Sequence, residues 1–203
     1  MSPSGKHLCI DFLENKSDYK RPLPKGKQEL IAKAVGLNKG LRKVLDTTAG
    51  LAQDAIVFAR LGAKVTAIER SEVVFRLLKD AHDRALALAP DVEYFKNLKF
   101  INSDSIEFLK SISQEDCPEV IYIDPMYPEK KKSALPRLEM QIFKEVIGPD
   151  EDSIELLRAA LQSRAQRIVV KRPRTADPLI EKPIHSFEGK SVRYDIYTPK
   201  AST

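Results

Sequence analysis

From Lys43 onward the apolar residues switch repeatedly between a two-residue period and one near 3.6, and that alternation most restricts the fold. Val44-Leu45-Asp46 reads as a first strand, Lys64–Glu69 as a second, Leu98–Asn102 as a third, Val120–Ile123 as a fourth and Arg167-Ile168-Val169-Val170-Lys171 as a fifth, stopped by Arg172-Pro173. Helical stretches fall between them. One runs through Gln53 to Leu61 and is closed by Gly62. A longer one, N-capped by Ser71, carries Val74, Leu77, Leu78, Ala81, Ala85 and Leu88 as a stripe and ends at Pro90. A third starts at Ser105, a mixed helix reaches about Val146, and another follows the acids Asp150, Glu151 and Asp152. Residues 183–187 and 191–197 flank Glu188-Gly189-Lys190 as a hairpin. Strands alternating with helices imply a doubly wound, mostly parallel α/β sheet with an antiparallel C-terminal edge. Residues 1–42 read as a basic N-terminal extension with a short strand at 8–13, a Pro- and Lys-rich loop and a helix at 28–35. Residues 43–203 form the main domain.

Composition sets the limits of function. With 203 residues, 42% hydrophobic and 31% charged, the chain can bury a substantial core. No run approaches the roughly 18 apolar residues of a membrane span, and Met1–Lys6 lacks the apolar core of a signal peptide. Cys9 and Cys117 form no metal-type cluster, and a reduced, cytoplasmic compartment is expected. His7, His82 and His185 show no ligand spacing, so no metal site is expected. The charge is uneven: residues 1–45 hold ten bases against four acids, the remainder 24 bases against 25 acids. A polyanionic partner, nucleic acid, accounts for such a basic end.

Sheets of this type bind ligands at the carboxyl ends of their strands. Strand one delivers Asp46-Thr47-Thr48-Ala49-Gly50-Leu51-Ala52-Gln53-Asp54. Strand two ends in Glu69, 19 residues beyond Gly50, the spacing at which an acid meets ribose hydroxyls. Strand three ends in Ser103-Asp104-Ser105, suited to an adenine edge. A dinucleotide would need G-x-G-x-x-G for its pyrophosphate, and only Gly50 is present. S-adenosylmethionine carries no phosphate, so its turn tolerates Ala49 and Ala52.

Strand four ends in Asp124-Pro125-Met126-Tyr127-Pro128. Asp124 can accept hydrogen bonds from an amine, Pro125 fixes the turn, and Tyr127 offers a flat face to a base. That set suits alignment of an exocyclic amine on a purine with a donated methyl group, where orientation outweighs basicity. Lys130, Lys131 and Lys132, with Lys171, Arg172 and Arg174 after strand five, are placed to meet phosphates around the target.

These motifs carry a resemblance. The loop Asp46–Asp54, Ile68-Glu69-Arg70, Tyr122–Pro128, Lys132-Ser133-Ala134-Leu135, Glu139-Met140, Val169–Pro173 and Arg193–Tyr197 resemble the ribosomal RNA small subunit methyltransferase J family. The resemblance runs from about Asp11 to the C-terminus. It implies a Rossmann-like class I methyltransferase fold, S-adenosylmethionine as cofactor, and methyl transfer to the N2 amine of a guanosine in 16S rRNA, with the rRNA or small ribosomal subunit as partner. It implies cofactor contacts at Gln53 and Asp54, at Glu69 and Arg70, at Asp104 and Ser105, and at Asp124. Asp46 and Gly50 complete the expected cofactor set. Two departures stand out: Ala52 and Gln53 occupy positions where Gly and Arg are usual, and longer members carry a portion before the segment like Leu8–Phe12. Rival expectations are an adenine-N6 or other nucleic-acid amino-methyltransferase and a non-catalytic RNA-binding protein. An NAD dehydrogenase is disfavoured by the glycine pattern.

Overall fold

The computed structural model describes residues 9–13, 27–125, 152–180 and 182–199. In chain order the elements are α1 (Lys27–Val35), β1 (Lys43–Asp46), α2 (Gln53–Arg60), β2 (Lys64–Glu69), α3 (Glu72–Leu88), β3 (Leu98–Asn102), α4 (Ser105–Ser111), β4 (Val120–Ile123), α5 (Ser153–Leu161), β5 (Arg167–Pro173), β6 (His185–Glu188) and β7 (Val192–Tyr197). The strands form one sheet in the order β3-β2-β1-β4-β5-β7-β6. The first five are parallel, and β7 and β6 are antiparallel additions. This is the doubly wound sheet with an antiparallel C-terminal edge expected from the period switching. The strand order reverses between β1 and β4, so the ligand crevice of such a sheet opens at their carboxyl ends.

Why these residues form these strands is visible in their burial. Val120, Ile121, Tyr122 and Ile123 are all fully buried because both faces of β4 are covered, and such strands read as continuous apolar runs. Val44, Val65, Leu98, Tyr122 and Val169 pack on one face with α2, α3 and α1, while Leu45, Ile68, Ile121, Ile123, Ile168 and Val170 pack on the other with α4 and α5. Each fully buried Leu or Ile contributes roughly 1.5–3 kcal/mol. The Ser71 hydroxyl caps α3 by accepting from the Val74 N–H. The stripe of α3 runs out at its end, where Leu88 is 72% exposed.

Three local differences from the sequence reading have physical causes. Residues 9–13 form a turn rather than a strand; Ile10 is buried and Phe12 lies over Phe95 and Phe100. Within the stretch expected as an extension, α1 buries Ile31, Ala34 and Val35 in the same core as the sheet, and Arg167 donates to the Ala34 carbonyl at 2.9 Å. Strand β5 continues through Arg172 and Pro173, which pair with Arg193 and Val192 of β7. Pairing by the hairpin overrides the Arg-Pro stop, and a proline at the strand's last residue removes little from the ladder. Tyr127, Lys130, Lys131, Lys132, the mixed helix to Val146 and the basic loop before Lys27 lie outside the described residues.

Candidate active site

The loop after β1 is tied to the tip of β4 by two threonines. Thr47 donates through its N–H and its hydroxyl to the Tyr122 carbonyl, at 3.0 and 2.8 Å. The Thr48 hydroxyl accepts from the Asp124 N–H at 2.8 Å, and the Thr48 N–H donates to Asp46 at 3.0 Å. Asp124 is thereby fixed by its backbone at the mouth of the switch-point crevice.

Glu69 fixes the same loop from β2. Its two oxygens accept the N–H groups of Gly50 and Ser71, at 3.1 and 2.8 Å. The 19-residue spacing is thus realised as a direct contact with the turn. A carboxylate has about four acceptor positions, so these bonds are compatible with acceptance from ribose hydroxyls. Gly50 has φ +53°, a left-handed conformation that glycine adopts without penalty. Ala52, at φ +57°, adopts it too, and burial of its methyl group offsets part of that strain. No side chain caps α2, so its first N–H groups face the crevice as donors.

Across the crevice, Lys171 of β5 binds two carboxylates at once. Its ammonium donates to Asp54 at 2.7 Å and to Asp124 at 2.8 Å, and the same Asp54 oxygen accepts the Tyr122 hydroxyl at 2.6 Å. Burial alone would lower the Lys171 pKa, but the charges of Asp124 and Asp54 outweigh it and raise it. The ammonium is therefore permanent at any physiological pH. Burial pushes the Tyr122 hydroxyl well above its ordinary value, so it stays protonated and keeps the hydrogen it donates to Asp54. Tyr194 of β7 pairs with Lys171 in the sheet, and burial pushes its hydroxyl up to about 12. Burial likewise raises the Asp46 carboxyl to about 7, with the charges of Asp54 and Asp124 adding to it and the Thr48 N–H and Lys171 opposing.

The remaining expected residues spread along the strand tips. Asp104 accepts the N–H groups of Ile106 and Glu107 and so caps α4. Ser105 donates to the Thr47 carbonyl at 2.7 Å, locking α4 onto the loop. Arg70 pairs with Asp152 at 2.9 Å, and Gln53 opens α2. Lys171 and Arg172, expected to meet phosphates at the end of strand five, both lie within β5. Arg172 is 6% exposed and donates to the Asp177 carbonyl at 3.2 and 2.8 Å. Sequence reasoning missed Thr47, Thr48 and Tyr122 as parts of the site. A tyrosine inside an apolar run was the available signal, since a buried phenol usually finds a hydrogen-bond partner.

The donor set fits S-adenosylmethionine. Asp46, Asp54 and Asp124 outnumber the one lysine among them, an environment that favours a cationic sulfonium and ammonium over a phosphate. The α2 N-terminus suits a carboxylate. Among the described residues no His, Cys, Asp and Glu cluster could hold a metal ion.

A crevice at the β1–β4 switch point, a nucleoside-type turn on Gly50 and Glu69, and a fixed acid at the tip of β4 define an S-adenosylmethionine-dependent methyltransferase. The family model for SAM-dependent methyltransferases matches residues 1–199. Proteins named ribosomal RNA small subunit methyltransferase J are 44% identical: that of Bdellovibrio bacteriovorus over 94% of this chain and 73% of its own length, that of Pseudomonas aeruginosa over 95% and 74%. The crystal structure of a SAM-dependent methyltransferase from Neisseria gonorrhoeae superposes with a TM-score of 0.78 at 32% identity, covering 100% of this chain and 79% of that one. This chain belongs to the ribosomal RNA small subunit methyltransferase J family.

Proposed function

We propose that the protein methylates the exocyclic N2 amine of a guanosine in 16S rRNA, with S-adenosylmethionine as donor and the small ribosomal subunit or its RNA as substrate. The observation that carries the chemistry is Asp124, placed at the tip of β4 by Thr48 and held by Lys171. The relatives' name supports the choice of ribosomal RNA. The bound cofactor supplies an electrophilic methyl carbon on a sulfonium.

The chain's own part is alignment. Asp124 accepts an N–H of the target amine, and Lys171 keeps its carboxylate ionised and unable to swing. The backbone at Pro125 supplies a second acceptor, and Tyr127 stacks on the base. Two acceptors on the two N–H bonds leave the nitrogen lone pair directed at the methyl carbon, the geometry that lowers an orientation-limited barrier. As the new N–C bond forms and the C–S bond breaks, the amine loses one proton. An N-methylated aryl ammonium is acidic enough to release it to Asp124 or water without a strong base. Asp46, Gly50, Gln53, Asp54, Glu69, Arg70, Asp104 and Ser105 surround the cofactor. Lys130–Lys132 contact RNA in this reading, and Lys171 and Arg172 act within the fold. Residues 1–42 contribute basic charge to RNA, and 43–203 the methyltransferase domain. Among the described residues no helix is long and apolar enough to cross a membrane, and a ribosomal substrate places the protein in the cytoplasm.

The test is incubation with radiolabelled S-adenosylmethionine and, separately, unmodified small subunits, naked 16S rRNA and duplex DNA. Label on a single guanosine of the ribosomal RNA, mapped by mass spectrometry, is the expected result. Label only on DNA adenine sinks this reading in favour of an adenine-N6 enzyme.

A further inference from the structure

The amino ends of β1, β2 and β3 each carry a lysine, and the register puts all three on one face. Lys43 pairs with Lys64, and Thr66, two residues beyond Lys64, pairs with Lys99. Directly paired residues share a face, as do residues two apart on a strand. The face is the one that carries Leu45 and Ile68 in the cluster under α4 and α5. Helix α4 has only seven residues, and where it ends the face opens into a groove of about 910 Å³. Lys43, Lys64, Lys96 and Lys99 line this groove, with Asp116 the one acid among its lining residues.

Three of these four lysines stand outside any ion pair among the described residues. Lys96 pairs with Glu93 at 2.6 Å, and Asp116 accepts the Ser113 hydroxyl at 2.7 Å. Glu119, near the start of β1, turns one oxygen to the backbone N–H groups of Arg42 and Lys43, at 2.6 and 2.7 Å. Among the described residues Lys43, Lys64 and Lys99 make no ion pair. Lysines commonly guard a sheet edge against pairing, which would explain Lys99 on β3. It does not explain Lys43, because β1 is central and hydrogen-bonded on both sides. A face of a doubly wound sheet is ordinarily apolar and covered; this half is basic and open.

We propose that the groove is an RNA-docking surface that holds the ribose–phosphate backbone of the substrate away from the methylated nucleotide. The inference rests on the ribosomal RNA reading above and adds a second point of contact to it. The row of ammonium groups crosses three strands spaced about 4.8 Å apart, and flexible stems let each meet a separate phosphate. Three residues of β1, about 10 Å, separate Lys43 from Asp46. A folded RNA presenting a base at Asp124 is long enough to reach the groove; a dinucleotide carrying the target guanosine spans too little and is held by the active site alone.

The experiment compares the wild-type chain with a K43Q/K64Q/K99Q variant, using a folded rRNA fragment and, as the short oligonucleotide, a dinucleotide containing the target guanosine. Neutralising three phosphate contacts should flatten the slope of log affinity against log salt by about 2, at about 0.7 per contact. Affinity for the folded fragment should fall more than about tenfold at low salt, and its KM should rise in proportion. The variant's kcat, its KM for the short oligonucleotide, its S-adenosylmethionine affinity and its melting temperature should stay at wild-type values. A wild-type protein that binds the fragment while the variant keeps the same salt slope overturns the docking surface alone. Equal losses on fragment and oligonucleotide also overturn it. A wild-type protein that binds no RNA overturns both this surface and the ribosomal RNA reading.

Discussion

Lysines at the two ends of this sheet live under opposite conditions. At the carboxyl end Lys171 is clamped between Asp54 and Asp124 and is 23% exposed. At the amino end Lys43, Lys64 and Lys99 stand in water without an ion pair among the described residues. A parallel sheet makes the two ends unlike: strand tips and helix N-termini converge at one, strand starts and helix C-termini at the other. Charges at the first end are part of a hydrogen-bonded lattice and are costly to disturb. Those at the second are loosely held and act through their field.

Substitutions at the two ends put that contrast to the test. The largest effect is expected from D124A, which should lower kcat by about a hundredfold to a thousandfold, the range seen when one positioned polar group is lost. Its far-UV circular dichroism should match wild type; turnover near the wild-type rate would remove Asp124 from the site.

Asp46 gives the next effect, through pH. Its carboxyl is raised from 3.8 to about 7 in the fold, so between those values the native state holds a proton that the unfolded chain has released. Stability therefore falls as pH rises through that window, by at most about 4 kcal/mol at about 1.4 kcal/mol per unit. Urea melts from pH 4 to 8 should show this decline in wild type and a flatter profile in D46N. A cationic cofactor favours the ionised carboxylate, so its binding near pH 7 should release protons, measurable as buffer-dependent calorimetric heats.

K171M comes third. It leaves Asp54 and Asp124 facing each other without their cation, and should cost about 2–3 kcal/mol of stability, below the full range for breaking a buried pair because the site is partly wet. Its pH–rate profile should also acquire an acid limb as Asp124 becomes harder to ionise; an unchanged profile would make Lys171 merely structural. Y122F removes a single bond to Asp54 and should cost about 1.5 kcal/mol in a thermal melt. At the other end of the sheet K64Q alone should change stability by less than about 0.5 kcal/mol; a larger loss would mean that the amino end is interlocked too.

The fold was readable because buried parallel strands announce themselves as β-branched runs, whereas the bond from the Gly50 N–H to Glu69 lay behind a spacing read only as a ribose contact. Asp124 stood out by its place at the end of strand four, beyond the loop after strand one, and the structure sets it at the tip of β4 beside Thr48. Strand five was read two residues short for a definable reason. An Arg-Pro pair after an apolar strand looks like the start of a loop, and only pairing with Arg193 and Val192 of β7 keeps it in the sheet. Once in the sheet, alternation sends Lys171 to the face of Val169 and Arg172 to the face of Val170. The amino-end lysines were invisible in sequence because three single residues, one per strand, become a row only through register.

The bond between Lys171 and Asp54 spans 117 positions of the chain. At the usual 5–20 residues per second, on the order of ten seconds separate the synthesis of its two ends. Over the last 47 positions of that interval Asp54 and Asp124 both exist without the cation that holds them, and the nascent chain cannot yet possess a working site. Catalytic competence is thus a property of the finished chain, acquired when the last parallel strand docks. A product arrested or cleaved before Arg167 would keep most of its strands and helices and still transfer no methyl group.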